Sequence, residues 1–561
     1  MRSGSWRFLT GLMVLALLVA CGRSSGSIYR SDAQITLQAQ FEKRPLTPVG
    51  FGTTTLRPAR YCWAEVRDAG SNALLASGYL GGDGTGTAAV PRGLSVYVQV
   101  YAQYQVPCAD PNSFFLRGSV KNAPLPTGYV ELATFSAIPT WSVTSATFLA
   151  DRDGTLAVTA LTSNRIAGAF NIADQAVTFA ATVRDMDGSS GFRLPNLHTF
   201  WTSSASQADQ VRTYPALTWS SSSTYLVSDS GRALFSHAVL GLDTGAPHTG
   251  SDEWSDAVLR GIYSRMLFAD NSYKADGSNS LSLLRRDNDN VSLDRAVPAE
   301  STAAFVAGFC DFLAAATGNQ SQILESYFDG SGYPGVDVYD LVATGTPPLS
   351  QGEFTRANIA SSLWGTWKQA LGGGSSGLST LWAAVRSSQV VANGVGEYEQ
   401  ATLGCYPSYL SGIQSRVTAA TWSNVVAQLS LTSIPDPDPA LGYFNTTALW
   451  QTRTVPINEA GSLQTHSPLA NTYYDRDQSQ VWRFSHAGGA RTITMTPTSG
   501  QDFYLELLGP GGWVSGSTSS SLTAQPRTLS FPNLPAGIYA ARVRAGATTA
   551  TGSNTYTIRV N

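Results

Sequence analysis

The residues of this chain that could bind a metal or activate water lie in and just before one short segment. His237 and His248 precede Asp252, Glu253 and Asp256, and zinc takes imidazole and carboxylate ligands of these kinds from proteins. The chain has five histidines, and no two of them stand four residues apart, the spacing that places two imidazoles on one face of a helix. The common helical zinc motif is therefore missing.

The segment that starts at Asp252, DEWSDAVLRGIYSRM, has the apolar period of a helix. Val258, Leu259, Ile262 and Met266 fall on one face, which predicts a helix packed against a hydrophobic core.

Other kinds of catalytic or binding pattern are also missing. No G-x-S-x-G segment stands between a strand and a helix with an acid and a histidine following, and no G-x-x-x-x-G-K phosphate loop occurs. The formal net charge is −3 and only 13% of residues are charged. A chain with so few basic residues is not expected to bind nucleic acid.

The segment at Asp252 resembles a run of the form DEFxxxVIxHExxH, which marks zinc peptidases among secreted proteins and lipoproteins. The lead-in residues match. In this register Gly261 stands where the first histidine belongs, Ile262 where the general base belongs, and Arg265 where the second histidine belongs.

Residues 304–312, AFVAGFCDF, resemble the AFxEGFADF segment that carries the third zinc ligand in such peptidases, with Ala307 in place of the ligand glutamate. Zinc needs lone-pair donors at about 2.0–2.3 Å, and Gly, Ile and Ala side chains have none. Arg265 adds a permanent positive charge. The resemblance therefore implies a peptidase scaffold that has lost its catalytic residues and its zinc, a pseudoenzyme with no cofactor.

Residues 1–20 have the form of an export signal, with Arg2 and Arg7 before an apolar run. The run ends in Leu-Val-Ala-Cys, which resembles the lipobox of bacterial lipoproteins and implies cleavage before Cys21 and lipidation of that residue. Each buried methylene of an acyl chain contributes about 0.8 kcal/mol, so the anchor would hold firmly. Residues 21–31 are predicted to be a tether, and Gly22 after the cysteine favours the outer membrane of the cell envelope.

Four cysteines remain for the folded part of the chain. An exported protein meets an oxidising compartment, so two disulfides are predicted, Cys62–Cys108 and Cys310–Cys405, each between neighbouring segments. Three pairings are formally possible, and separate buried thiols are the alternative.

Residues 32–160 are predicted to form a β-sandwich. Alternating runs at 34–40, 61–66, 74–79, 85–90 and 94–101 are divided by Gly, Asn and Pro. Their order resembles the transthyretin-like regulatory domains that accompany carboxypeptidases, whose turns are matched here by Asp68, Gly70, Asp83, Gly84, Pro91 and Gly93.

Residues 161–434 are predicted to form a central, mainly helical α+β domain of the metallopeptidase-like kind. Helices are expected at Asp252 and at 302–317, 355–371 and 377–391. Residues 168–177, GAFNIADQAV, resemble the stretch that opens the peptidase domain of related lipoproteins.

Residues 435–445 begin with Pro-Asp-Pro-Asp-Pro and are predicted to be a linker. In 446–561, strands are expected at 481–484, 492–496, 503–508, 527–531, 537–544 and 555–560. DFYLELLGPGG and LPAGIYAARV resemble the pre-peptidase C-terminal domain, a jelly-roll-like β-sandwich appended to secreted bacterial peptidases.

Three hypotheses for function follow. The leading one is a lipid-anchored extracytoplasmic pseudopeptidase that acts as a binding or scaffold protein for a peptide, protein or glycan. The first alternative is an active metallopeptidase with ligands relocated to His237, His248, Asp252, Glu253 and Asp256. The second is a cell-surface carbohydrate-binding or matrix-binding lipoprotein that acts through its C-terminal sandwich.

Overall fold

The computed structural model describes residues 32–108, 114–123, 137–188, 194, 196–201, 228–229, 232–233, 237–241, 252–270, 301–328, 334–342, 356–385, 406–430, 451–457, 479–497, 503–509, 512–516, 525–545 and 552–560. The predicted signal peptide, Cys21, the predicted tether and the predicted linker at 435–445 lie outside these residues. Within them, the chain folds into several sheets and a group of helices, in agreement with the predicted multidomain mixture of strands and helices.

The strands before the first long helix include every strand predicted from alternation in this region. They are β1 (Ala33–Lys43), β2 (Leu46–Thr47), β3 (Gly50–Phe51), β4 (Thr55–Pro58), β5 (Cys62–Asp68), β6 (Leu74–Tyr79), β7 (Thr85–Val90), β8 (Ser95–Pro107), β9 (Phe114–Lys121), β10 (Ser142–Thr144), β11 (Phe148–Leu149) and β12 (Gly154–Ala160). The predicted Asp-Gly turn is also confirmed, because Gly84 has φ +74° and a Cβ there would lie 2.6 Å from the Ala39 carbonyl oxygen.

Strand β1 is the centre of the first sheet. Its residues alternate between buried and exposed along its whole length, so one face packs on the core. It pairs with β12 in parallel and with β4 and β7 antiparallel. The partners Phe41 and Ala160 are both fully buried. This sheet therefore brings together the two ends of the segment predicted to be the first domain.

A second sheet has eight strands in the order β16-β13-β9-β8-β5-β6, with β10 and β11 also paired to β8. Two of its strands come from later in the chain, β13 (Asn196–Phe200) and β16 (His237–Gly241), and they continue the sheet from β9 in parallel. Two short strands, β14 (Ser228–Asp229) and β15 (Arg232–Ala233), form a separate ribbon.

The helical region contains seven helices in the described ranges, of which the second to the fifth correspond to the helices expected from the sequence. The seven are α1 (Ile166–Asp187), α2 (Asp256–Asp270), α3 (Ser301–Gly318), α4 (Arg356–Gly365), α5 (Ser375–Val385), α6 (Tyr406–Gln414) and α7 (Ala419–Ser430), with a 3-10 turn at Asp252–Trp254 and a π-helical turn at Thr366–Ala370 that continues α4. The ribbon of β17 (Gln322–Phe328) and β18 (Pro334–Asp340) follows α3. None of the helices in the described ranges is both long and apolar enough to cross a membrane.

One hydrophobic core joins the N-terminal sheets to the helices. It extends from Ala33 to Leu429, and α1 packs on β1, β8 and β9. Because β13 and β16 also extend the eight-stranded sheet, the predicted boundary between residues 160 and 161 does not coincide with a gap between cores. The bounds of these two domains stay a prediction.

The C-terminal region has a core of its own. Its sheets have the orders β19-β26-β21-β24 and β20-β25-β22-β23, and residues of both, from Ile493 to Val560, form one buried cluster. The strands are β19 (Gln451–Ile457), β20 (Ser479–His486), β21 (Gly489–Pro497), β22 (Phe503–Gly509), β23 (Gly512–Gly516), β24 (Arg527–Leu534), β25 (Gly537–Ala545) and β26 (Gly552–Val560). The six strands predicted in this region are all present.

Candidate functional site

The positions at which the peptidase resemblance puts zinc ligands lie on α2 and α3, which pack side by side. Ile262 and Ala307 are buried, with 4% and 1% of their surface exposed. A Cβ added at Gly261 would lie 3.8 Å from the Ala314 Cβ, in ordinary van der Waals contact. The backbone of Arg265 belongs to α2, and its side chain lies outside the described part of the structure.

Gly261 therefore faces Ala314, which is two helical turns from Ala307. Seven residues of α-helix span about 10 Å. The next residue of α3, Gly308, points at a different neighbour, since a Cβ there would lie 2.7 Å from the Ile359 Cβ of α4. In this packing, Gly261 and Ala307 do not lie opposite each other.

The carboxylates of the relocated-ligand hypothesis have other surroundings. Glu253 is buried in the 3-10 turn, and Asp256 forms an ion pair with Lys43. His237 begins the edge strand β16, and His248 lies outside the residues that the structure describes. Among the residues searched, which are those the structure describes, no group of three or more His, Cys, Asp and Glu is placed to hold a metal ion.

The structure assembles a different polar site, at the junction of β1, α1 and α2. The Lys43 ammonium donates a hydrogen bond to Asn171 Oδ1 at 2.7 Å and another to the Asp256 carboxylate. The Asn171 amide donates to Asp256 Oδ1 at 3.0 Å and to the backbone carbonyl of Glu253 at 2.5 Å. We call Lys43, Asn171 and Asp256 the Lys-Asn-Asp cluster.

Two further side chains support this cluster. Gln175, one turn after Asn171 on α1, donates to Asn171 Oδ1 at 3.4 Å. Arg260 of α2 donates to Gln175 Oε1 at 2.8 Å and to the Ala314 carbonyl at 2.9 Å. Arg260 thus links α1, α2 and α3 through buried hydrogen bonds, which are costly to leave unmade.

A second ion pair lies beside the cluster on α1. Arg60 donates to Asp174 Oδ1 at 2.6 Å and to the Asp174 backbone carbonyl at 3.2 Å. Burial raises the pKa of Asp174, and the Arg60 charge opposes that change. The middle of GAFNIADQAV thus carries three polar residues, Asn171, Asp174 and Gln175. Each of them forms a hydrogen bond with a residue from another part of the chain.

Burial also changes the ionisation of the cationic residues. Desolvation lowers the pKa of Lys43, and the Asp256 carboxylate opposes this change. Desolvation lowers the pKa of Arg260 as well, against the attraction of Asp256 and Asp174. Within the cluster the amine of Lys43 is largely shielded from water, so it loses its proton more easily than an exposed lysine does.

Sequence reasoning missed this cluster, although α1 carries a signal for it. Asn171, Asp174 and Gln175 stand at i, i+3 and i+4 on one face of a helix that otherwise consists mainly of Ala, Phe, Ile and Val. Polar side chains on a buried face need partners. The partners Lys43 and Asp256 lie more than eighty residues away on either side.

The outward face of the eight-stranded sheet carries a row of aromatic side chains across three strands. Tyr79 of β6 stands opposite Trp63 of β5, which stands opposite Tyr101 of β8. The Trp63 and Tyr79 rings meet edge to face, with centroids 4.9 Å apart. Glu65 lies next to the row and accepts hydrogen bonds from Trp63 Nε1, Tyr101 Oη and the Arg67 guanidinium. We call these five partly exposed residues the aromatic face.

Two other histidines are placed by their hydrogen bonds. His198 Nδ1 lies 2.8 Å from Ser119 Oγ, and the two residues are partners in the register of β9 and β13. His486 is buried and its Nε2 lies 3.0 Å from the Leu534 carbonyl oxygen. Since Ser119 is only 3% exposed, its hydroxyl is poorly placed to meet a substrate.

The predicted disulfide between Cys62 and Cys108 is not present, because both residues are free thiols. The register explains this. Cys62 stands opposite Tyr104, so Cys108 is four residues further along, about 13 Å at the rise of a β-strand. A disulfide needs Cα atoms within about 7 Å. Cys310 is buried on α3, and its predicted partner Cys405 lies outside the described ranges, so this disulfide stays a prediction.

No described protein family matches this chain, and no curated protein does. Among solved structures, the chain is similar to the pre-peptidase C-terminal domain of collagenase from Bacillus anthracis, with 13% identity over 20% of this chain and 89% of that one, at a TM-score of 0.15. It is similar to a family 35 carbohydrate binding module from an environmental isolate, with 13% identity over 21% of this chain and 89% of that one, at 0.13. It is also similar to a Paenibacillus sp. cycloisomaltooligosaccharide glucanotransferase complexed with cycloisomaltoheptaose, with 9% identity over 93% of this chain and 72% of that one, at 0.11.

Proposed function

We propose that this protein is a lipid-anchored extracytoplasmic binding or scaffold protein, and that its central helical region is a structural core and not a zinc-peptidase site. The observation that carries the proposal is the packing of α2 on α3. Ile262, at the position of the general base, is buried and has no titratable group, and general-base catalysis requires one. Gly261, at the position of the first ligand, is packed against Ala314.

The ion pair of Lys43 with Asp256 supports the same proposal against the relocated-ligand alternative. A zinc ion at Asp256 would compete with an ammonium group and an amide that already bind the same carboxylate oxygen. Bringing a second cation to this place would add repulsion from Lys43 and Arg260.

Metal analysis of the purified full chain tests the proposal. After dialysis against zinc and then against buffer, we expect far less than one zinc per chain and no cleavage of a broad peptide library. Asp256→Asn serves as the control, because it should leave the zinc content unchanged. One zinc per wild-type chain that is lost in Asp256→Asn would refute the proposal in favour of relocated ligands.

The lipid anchor has its own test. With Cys21→Ser, we expect the chain to lose incorporation of labelled palmitate and to leave the detergent-rich phase in a phase-separation assay. Cys108→Ser is the matched control and should keep both properties. Retention of the label by Cys21→Ser would show that the anchor is elsewhere.

The aromatic face favours a glycan as the bound partner. Tyr79, Trp63 and Tyr101 form a row about 10 Å long at the usual spacing of strands, which suits stacking on sugar rings. Glu65 and Arg67 neutralise each other beside the row, so the face suits an uncharged chain with many hydroxyl groups. We therefore propose the aromatic face of the N-terminal sheet, instead of the C-terminal sandwich, as the glycan-binding surface.

Binding to insoluble polysaccharides and to a glycan array tests this second candidate. Trp63→Ala should reduce binding by tenfold or more, which corresponds to about 1.4 kcal/mol or more. Leu74→Ala, an exposed apolar position on the neighbouring β6, is the control and should bind as the wild type does. Equal binding by both variants, or none by the wild type, would exclude the aromatic face as a glycan site.

A further inference from the structure

The Lys-Asn-Asp cluster has the groups and the geometry for a covalent reaction. The Lys43 amine touches the oxygen of the Asn171 carboxamide at 2.7 Å, so the amide carbon lies one bond beyond. A single carboxylate oxygen, Asp256 Oδ1, accepts hydrogen bonds from both the Lys43 amine and the Asn171 amide nitrogen. It contacts at once the nitrogen that would lose a proton and the nitrogen that would have to leave.

The surroundings favour a neutral amine as nucleophile. Asn171 is fully buried, Lys43 is 8% exposed, and the Trp254 ring centroid lies 5.8 Å from Lys43 Nζ. Desolvation of this kind lowers the pKa of Lys43, opposed by the Asp256 charge, and makes the amine available for attack. The Gln175 amide donates to Asn171 Oδ1, where negative charge would develop during attack.

We propose that Lys43 and Asn171 become joined by an intramolecular amide bond, with Asp256 as the proton-transfer group. The Nζ lone pair attacks Cγ of Asn171, and Asp256 accepts a proton from Nζ. The Nζ–Cγ bond forms, the Cγ–Nδ2 bond breaks, and Nδ2 leaves as ammonia, which takes the proton from the Asp256 carboxyl group. The reaction exchanges one amide for another, so it needs neither an oxidant nor a reductant.

The placement of the groups also provides the proximity that the reaction needs and a way out for the ammonia. Holding amine and amide in contact inside a folded core replaces an encounter in solution with a step of high effective concentration. The Asp256 side chain is 30% exposed, which gives the ammonia a route to water. The bond would connect β1 to α1 across 128 residues of sequence, and so would fasten the N-terminal sheet to the first long helix.

Peptide mapping of the folded full chain tests this inference and is independent of any ligand or metal result. We expect a branched tryptic peptide that contains Lys43 and Asn171, is lighter by one ammonia than the two peptides together, and has no cleavage after Lys43. Lys121 is the internal control, because it is as buried as Lys43 but donates to the Ile138 carbonyl and the Thr140 hydroxyl. Its peptide should remain linear.

Variants identify the role of each group. Lys43→Arg keeps the positive charge and should give only unlinked peptides. Asp256→Asn should slow linkage by about a hundredfold or more, as expected for loss of acid-base catalysis. Circular dichroism and gel filtration establish that each variant is folded. Recovery of the Lys43 and Asn171 peptides exclusively in unlinked form from folded wild-type protein, after prolonged incubation, would overturn the proposal.

Discussion

Arg356 and Asp311 form a two-point ion pair between α4 and α3. Arg356 Nε and one terminal nitrogen each donate to a different oxygen of Asp311 at 2.5 Å, and both side chains are at least 95% buried. Asp311 belongs to the segment that resembles the third-ligand segment of zinc peptidases. In this protein its carboxylate joins two helices of the core.

Removing one partner of this pair should destabilise the fold strongly. Arg356→Met leaves the Asp311 carboxylate buried without its counter-charge, and we expect a loss of about 3–5 kcal/mol in the free energy of unfolding. Urea denaturation measures it. Asp185→Ala breaks an exposed pair with Arg184 and should cost about 1 kcal/mol or less. Equal losses of unfolding free energy in Arg356→Met and Asp185→Ala would contradict the burial of the Arg356–Asp311 pair.

Two glycines on neighbouring helices should respond to alanine in opposite directions. At Gly261 a Cβ has ordinary contacts, so Gly261→Ala should stabilise the protein by about 0.5–1 kcal/mol through helix propensity. At Gly308 a Cβ would lie 2.7 Å from the Ile359 Cβ and 2.8 Å from the Arg356 carbonyl oxygen, so Gly308→Ala should cost about 1–3 kcal/mol. Thermal melts of both variants measure the sign of each stability change. Destabilisation by Gly261→Ala would show that α2 and α3 pack more closely at this position than the structure has them.

The thiols of Cys62 and Cys108 should differ in their rate of alkylation. Burial raises the pKa of the Cys62 thiol, and Cys62 is 2% exposed, whereas Cys108 is half-buried at the end of β8. Because the thiolate is the reactive species, we expect Cys108 to be alkylated at least tenfold faster than Cys62 in native protein. Mass spectrometry after timed alkylation measures both rates. If Cys108 were alkylated only after treatment with a reductant, because a disulfide blocks it, the result would disagree with the structure.

Glu42 should contribute stability that depends on pH. Its carboxylate accepts hydrogen bonds from the Thr162 backbone N–H at 2.6 Å and the Thr162 hydroxyl at 2.7 Å, and these lower its pKa from the ordinary value of 4.5. Between the folded and unfolded pKa values the unfolded chain binds more protons, so this stability is complete above pH 4.5 and is lost as the pH falls through the lower, folded value. Glu42→Gln should therefore be less stable than the wild type at neutral pH, by a small amount since Glu42 is partly exposed to water, and the two should converge in acid. A difference that grows on acidification would contradict this assignment.

The sequence by itself determined where many of the strands and four of the seven described helices lie. Alternation in β1 and in β8 predicts which residues are buried, because a strand turns successive side chains to opposite faces, and the apolar stripe of α2 predicts its buried side in the same way. The strands of the C-terminal sandwich follow from the same alternation. Each of these signals is local, so it can be read from a few neighbouring residues.

Only the tertiary structure decided which elements meet. Periodicity shows that β1 has a buried face, but its parallel pairing with β12 and the position of Cys108 relative to Cys62 depend on register between distant segments. The Lys-Asn-Asp cluster is the clearest case. Lys43, Asn171 and Asp256 are ordinary polar residues in their own segments, and they become a buried, hydrogen-bonded group because β1, α1 and α2 pack on a common core.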